Sequence, residues 1–264
     1  MSNTITPEEL SGRFDVLLNS YSQKAATGDS SSRVDINLDE YEKSVYLTKA
    51  QEEVVVNLYN GKNIYGDSFE STEEIRRYLD ALVKTASSDE EKVRDEDNSE
   101  DDDIKKVDEL LVNIKGLEPT SDLSNAEIFS LPDDIAFITL EKVTYSGEEG
   151  KCSLDGYSAK VYPITHDTYN TIKDNPFRGP TKYKALRLDY GENKVEIISK
   201  FPIKEYYIKY LKRPNPIILV DLTNENLQID GKSEVQDLTL NPLLYETILQ
   251  RAVALAIASR GKSS

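Results

Sequence analysis

Apolar positions along this chain change their period twice, and the changes divide it into helical and extended stretches. Through residue 86 they recur every three to four residues behind signals that start helices. Thr6, Pro7 and Glu9 form a capping box with proline at the first helical position, and Leu10, Phe14, Leu17, Leu18 and Tyr21 then line one face. Thr48 and Gln51 repeat the box at a second helix, entered by a preceding helix from Leu38, in a longer pattern whose stripe of Leu47, Ala50, Val54, Val55 and Leu58 stops at Asn60 and Gly61. Ser71 and Glu74 predict a third helix that turns Ile75, Leu79, Leu82 and Val83 inward. From Ser87 to Asp103 there is almost nothing to bury, so an acidic excursion is expected, with a helix around residues 104–114.

Beyond Pro119 the pattern becomes short apolar and aromatic runs between turn residues, which predicts strands at 135–145, 157–162, 182–190, 195–199, 204–211 and 217–222. A short helix is expected at 165–172, and Asp230 with Gly231 suits a tight hairpin turn. The last element is helical again. Asn241 caps it, Pro242 takes its first position, and two apolar stripes follow: Leu244, Ile248, Ala252 and Leu255 on one, Leu249, Val253, Ala256 and Ile257 on the other. Such a helix must be covered on several sides, either at the centre of its own bundle or between partner subunits. Leu244, Ile248, Leu249, Val253 and Ile257 are therefore the candidate partner interface.

The expected fold class is α+β: an antiparallel helical bundle of N-terminal helices plus the C-terminal helix, with an inserted antiparallel β-sheet or small barrel. The expected organisation is a helical region at 1–86, the acidic excursion and helix at 87–118, a β region at 119–239, and at 240–264 a helix that returns to the bundle or docks on a partner.

Charge adds a second layer. The net charge is -16, yet it is unevenly spread. Residues 89–103 hold ten acidic residues against two basic ones, and residues 173–213 hold eleven basic against five acidic. Lys204, Lys209, Lys212 and Arg213 in the second stretch, and Asp101, Asp102 and Asp103 in the first, form a candidate charge-pairing surface, by which one copy would attract another. Lys204, Tyr206, Ile208, Tyr210 and Lys212 also alternate onto one strand face, as a base-stacking nucleic-acid surface would. The plainer alternative makes the tyrosines and the isoleucine the core side of the strand, with lysines at its rim.

Catalytic and cofactor signatures are weak. Both Gly-Lys-Ser matches, at Gly231 and Gly261, lack the glycine five residues earlier that a phosphate loop requires, because Asn226 and Ala256 stand there. Asp95, Asp97 and Ser99 have the spacing of a calcium loop, but Glu100 occupies its turn position and Lys106 its bidentate position. His166 is the only histidine and Cys152 the only cysteine, a poor ligand set for zinc and no basis for an internal disulfide. No cofactor, metal site or catalytic residue is expected. The longest apolar run, at 252–258, is well short of the roughly 20 residues that a membrane span needs. A structural or interaction protein without enzymatic activity fits best, and a carboxylate-based hydrolase is the rival from another class.

Several stretches carry a family resemblance. Residues 38–61, with Tyr41-Glu42-Lys43-Ser44 and Leu47-Thr48-Lys49-Ala50-Gln51-Glu52, Asn175-Pro176-Phe177-Arg178-Gly179-Pro180, Ala185-Leu186-Arg187-Leu188-Asp189, and the final Leu240-Asn241-Pro242 helix resemble the head-to-tail connector or ring proteins of crAss-like tailed phages infecting Bacteroidales. The resemblance implies a virion protein of the neck, made in the host cytoplasm, whose copies form a ring, usually of twelve, between portal and tail. It implies self-association, contact with portal and with other neck or tail rings, and a lumen through which DNA passes without specific binding. A different tail or cargo protein of the virion is the nearer alternative. Negative charge around such a channel would keep DNA from adhering during packaging and ejection.

Overall fold

The computed structural model describes residues 5–25, 37–62, 66–92, 107–121, 125–147, 154–173, 175, 177–236 and 238–260. They form two compact units. One comprises residues up to Leu82 together with those from Arg213 onward, and the other runs from Val83 to Lys212.

In the first unit, α1 (Pro7–Ala25), α2 (Glu40–Asn60) and α3 (Glu73–Tyr78) come from the N-terminal part, and α5 (Tyr245–Arg260) from the C-terminal part. The Thr6 hydroxyl accepts from the Glu9 amide at 3.3 Å, as the capping pattern predicts. The expected start of the second helix at Thr48 is corrected. The capping box sits at Asp39 and Glu42, where the Asp39 carboxylate accepts from the Glu42 amide at 2.7 Å, and the helix runs unbroken to a left-handed Gly61 at φ 72°.

Thr48 and Gln51 thus lie mid-helix, and with Ser44 they form a buried polar stripe. An irregular segment crosses that stripe. The Ile217 amide donates to the Thr48 hydroxyl at 3.0 Å, the Leu219 amide donates to the Ser44 hydroxyl at 3.0 Å, and the Gln51 side-chain amide donates to the Asn215 carbonyl at 2.7 Å. The chain at 217–222 is therefore no strand of a sheet. Part of its polar backbone is satisfied by helix side chains instead, and part by an isolated bridge between Ile218 and Gln236 and by the Leu222 amide donating to the Ser233 carbonyl at 2.9 Å. The Asp230-Gly231 hairpin forms as predicted, with φ of 48° and 77° at its two central residues.

The second unit is one mixed sheet. Its strands are β1 (Val83–Ser87), β2 (Glu109–Leu110), β3 (Val112–Asn113), β4 (Ala126–Ser130), β5 (Ile135–Tyr145), β6 (Ser158–Ile164), β7 (Lys184–Gly191), β8 (Lys194–Ile198) and β9 (Ile203–Lys212). They lie in the order β2-β1-β9-β5-β6-β7-β8-β4-β3. The two edge strands belong to one stretch of chain, residues 109–113, which runs parallel to β1 on one side and antiparallel to β4 on the other. The Leu111 amide donates to the Ser87 carbonyl at 2.8 Å, and the Ile114 amide to the Ile128 carbonyl at 2.8 Å. That stretch joins the two edges into a barrel-like ring of eight staves and removes the edge problem.

The interior is filled. Phe129, Tyr145, Tyr206 and Tyr210 meet Val143, Val161, Ile197 and Ile208 there, all nearly inaccessible. Outside, α4 (His166–Ile172) begins at the Thr165 cap and lays Tyr169 and Ile172 on Leu186, Leu188 and Ile198, making the crossover between parallel β6 and β7.

These observations overturn the expected fold class. The β part is neither a purely antiparallel sheet nor a small insertion in a helical bundle: it is a nine-stranded, almost closed barrel with two parallel pairings, β1 with β2 and β6 with β7. The helices do not make a regular bundle either. The last helix packs on α1 and α2, which meet each other little, and an irregular segment packs on α2. The helix expected around 104–114 is also corrected, because described residues 109–113 are extended and Leu111 points into the barrel core. Strands β1 and β4 carry too few alternating residues to stand out in the sequence.

Candidate functional site

The candidate interface residues of α5 face this chain's own interior. Leu244, Ile248, Leu249 and Val253 are buried, and Ile257 is half-buried. More exposed apolar surface lies beside them. Val16 of α1 is 69% exposed and Leu243, ahead of α5, 70%. An open groove of about 560 Å³ runs between α1 and α5, lined by Glu9, Gly12, Arg13, Val16, Leu17, Glu246 and Leu249. Lys43 ties α1 to α2 nearby, pairing with Asp15 at 2.8 Å and Glu40 at 3.0 Å. Burial alone would lower its pKa, but the hydrogen bonds and charges of the two carboxylates outweigh this and raise it.

The described basic members of the candidate charge-pairing set are spread along the chain. Lys204 and Lys212 stand near opposite ends of β9, Lys209 points out from its middle, and Arg213 follows the strand in the other unit. Asp101, Asp102 and Asp103 lie outside the described residues, as do Cys152 and the calcium-like spacing at Asp95, Asp97 and Ser99. The alternation along β9 resolves to the plainer reading. Tyr206, Ile208 and Tyr210 are barrel core, so they offer no stacking face.

A basic and aromatic surface does exist on the barrel, at positions the one-dimensional pattern did not single out. Register places Tyr207 of β9 beside Lys142 of β5, Lys142 beside Lys160 of β6, and Lys160 beside Lys184 of β7. The adjoining positions Val143, Ala159, Val161 and Ala185 point inward, so the lysines point outward. Each ammonium rests over a ring. Lys142 lies 4.6 Å from the Tyr207 centroid, and Lys160 and Lys184 lie 5.3 and 5.6 Å from that of Tyr162. Lys182 lies 4.6 Å from Tyr183, which is 58% exposed and packs edge-on against Tyr157. The signal was legible only in part. Lysines next to aromatics recur in the sequence, but strand register alone brings them into one row.

Buried carboxylates are committed to structure. Glu141 points into the barrel and accepts from the Arg187 guanidinium at 2.6 Å and from the Tyr206 hydroxyl at 2.7 Å. Burial, and after it the neighbouring Glu141, drives the Tyr206 phenol well above its ordinary pKa, so it stays a neutral donor. Glu196 accepts from the amides of Thr120 and Ser121, both at 2.9 Å, pinning that loop to β8. Glu205 pairs with Lys92 at 2.6 Å and accepts from Ser87 at 2.7 Å. None of the three is free to act as an acid, base or nucleophile in a pair. His166 is exposed, its Nε2 3.0 Å from the Asp189 carbonyl. Among the described residues, no three His, Cys, Asp or Glu side chains gather as a metal site would require, and no helix is long and apolar enough to cross a membrane.

The arrangement is therefore one of surfaces carried on two units, each compact in itself. Comparison with known proteins agrees with that character. "Ring protein 3" of Bacteroides phage crAss001 is 40% identical over 257 residues, covering 97% of this chain and 96% of that protein. "Ring protein 4/5" of the same phage is 34% identical over 260 residues, covering 95% of this chain and 92% of that protein. Residues 5–264 match the family described as phage tail ring protein 3/4. This chain belongs to the phage tail ring protein 3/4 family of virion structural proteins.

Proposed function

We propose that this protein forms a homo-oligomeric ring in the neck of the virion, joins the portal to the tail, and leaves a lumen through which DNA passes. The observation that carries this reading is the near full-length similarity to two differently named ring proteins of a single phage. Two rings of one particle built on related chains favour a fold that stacks, with surface residues deciding which ring a copy joins. The filled barrel supports it further: tyrosines occupy its interior, so any passage for DNA runs between subunits and not through one. With a net charge of -16 per chain, a ring of copies would present DNA with like charge and little adhesion.

Twelve copies, the number that the resemblance to connector proteins implies, is the stoichiometry proposed. The test is native mass measurement and electron microscopy of the purified chain, alone and with the portal protein of its own phage. A closed ring of twelve that binds portal is the expected result. A chain that stays monomeric at high concentration and in the presence of portal overturns the reading.

A further inference from the structure

We propose that the outer row Lys142, Lys160 and Lys184 is the subunit contact that receives the acidic run 89–103 of a neighbouring copy. The inference deepens the ring reading above and rests on it.

The row is an unusual thing for a sheet to hold. Register-paired side chains on neighbouring strands stand about 5 Å apart at Cβ, and like charges directly opposite one another destabilise the pairing. Here three lysines follow one another across β5, β6 and β7, a span of about 10 Å, comparable to the screening length at physiological salt. None of the three makes an ion pair among the described residues. Lys184 donates to the Arg178 carbonyl at 3.1 Å, and Lys142 shares the neighbourhood of Glu205, whose carboxylate is already held by Lys92. Tyrosine rings hold the three ammoniums in place, and of the three only Lys142 acts on a buried carboxylate among the described residues, that of Glu205.

A site that carries repulsion in the isolated chain gains most from an anion of matching length. The acidic run of a second copy supplies one. Its ten acidic residues against two basic ones make it the most negative stretch of the chain, and Asp101, Asp102 and Asp103 are consecutive. Subunits each of charge -16 repel one another as a ring forms. A contact that sets the basic row of one against the acidic run of the next turns part of that repulsion into attraction and fixes the direction in which copies follow each other.

The test uses the full chain, with portal protein where assembly needs it. Lys142→Glu, Lys160→Glu and Lys184→Glu together should weaken self-association on the order of 10- to 100-fold, and a chain with Asp101→Lys, Asp102→Lys and Asp103→Lys should be impaired alike. Mixed, the two variants should assemble again, because the glutamate row then meets lysines at 101–103 and the unchanged lysine row meets the unchanged acidic run. A second triple, Lys142→Gln, Lys160→Gln and Lys184→Gln, separates contact from folding. It should melt at or above the wild-type temperature, since repulsion is relieved, while losing the salt-sensitive part of assembly. Wild-type assembly with either lysine triple overturns the proposal, as does failure of the mixed variants to assemble. Retention of assembly by the glutamate triple, with loss of duplex DNA binding that the wild type displays, would assign the row to nucleic acid and overturn it as well. Failure of the wild-type chain to assemble at all would instead strike the ring reading.

Discussion

The two units satisfy their backbones in opposite ways, and the contrast explains where this protein keeps its constraints. In the barrel, strand pairs meet nearly every backbone need, and residues 109–113 close the ring by pairing on both sides. Outward side chains are not needed to satisfy the backbone, and polar groups that turn inward find partners there, as Glu141, Arg187 and Tyr206 do. In the helical unit, the chain at 215–219 has no sheet to join, so Ser44, Thr48 and Gln51 of α2 serve as its partner. One unit fixes its fold by regular pairing around an interior polar knot, the other by side chains chosen one at a time.

Breaking the interior knot should have the largest effect. Glu141→Leu leaves the Arg187 guanidinium inside the barrel with Asp189, at 3.2 Å, as its remaining ion-pair partner among the described residues. The expected loss is about 3 kcal/mol, read from urea unfolding followed by circular dichroism. Replacing both partners, Glu141→Leu with Arg187→Met, should restore most of that loss, because the cost lies in the orphaned charge more than in the missing pair. A double variant as unstable as the single one would mean that the pair itself, and not its breakage, determines the stability.

The helical unit offers the matched experiment at smaller scale. Thr48→Val keeps the volume but removes the group that both accepts from the Ile217 amide and donates, at 3.3 Å, to its carbonyl. About 2 kcal/mol should be lost, with faster amide exchange at Ile217. The barrel counterpart is Thr139, whose hydroxyl donates to the Lys209 carbonyl at 2.9 Å on an exposed face. Thr139→Val should cost no more than about 0.5 kcal/mol, since water can replace the bond. Equal losses at the two threonines would erase the distinction drawn between the units.

The same contrast accounts for what the sequence could reveal. Strands β5 to β9 were legible because alternation is a local property, and Tyr206, Ile208 and Tyr210 show it plainly. The cap at Thr6 and the Asp230-Gly231 hairpin were legible for the same reason. Thr48 and Gln51 have the spacing of a capping box, and that spacing cannot say whether the partner is a helix start or a distant segment at 215–219. Barrel closure at 109–113 depends on pairing two edges far apart in the chain, and the lysine row depends on registers across three strands. Neither leaves a periodic trace. Leu244, Ile248, Leu249 and Val253 were expected to need cover on two faces, and they are buried within the chain.

The smallest effect concerns Glu205, where the barrel meets the chain that leads into the acidic run. Burial would raise its pKa, but hydrogen bonds from Lys92 and Ser87, with the charges of Lys92 and Lys142, outweigh burial and hold the carboxylate below its ordinary value. The folded state therefore releases this proton more readily than the unfolded chain does. Stability from the pair is fully present above the ordinary glutamate value of about 4.3, and it is lost as pH falls through the depressed folded value. Glu205→Gln removes the charge at every pH. The stability gap between wild type and this variant should then be constant from neutral pH down to about 5 and narrow below it. A gap that stays unchanged to about pH 3 would show that Glu205 acts through its hydrogen bond to Ser87, which glutamine can keep, and not through the charge shared with Lys92.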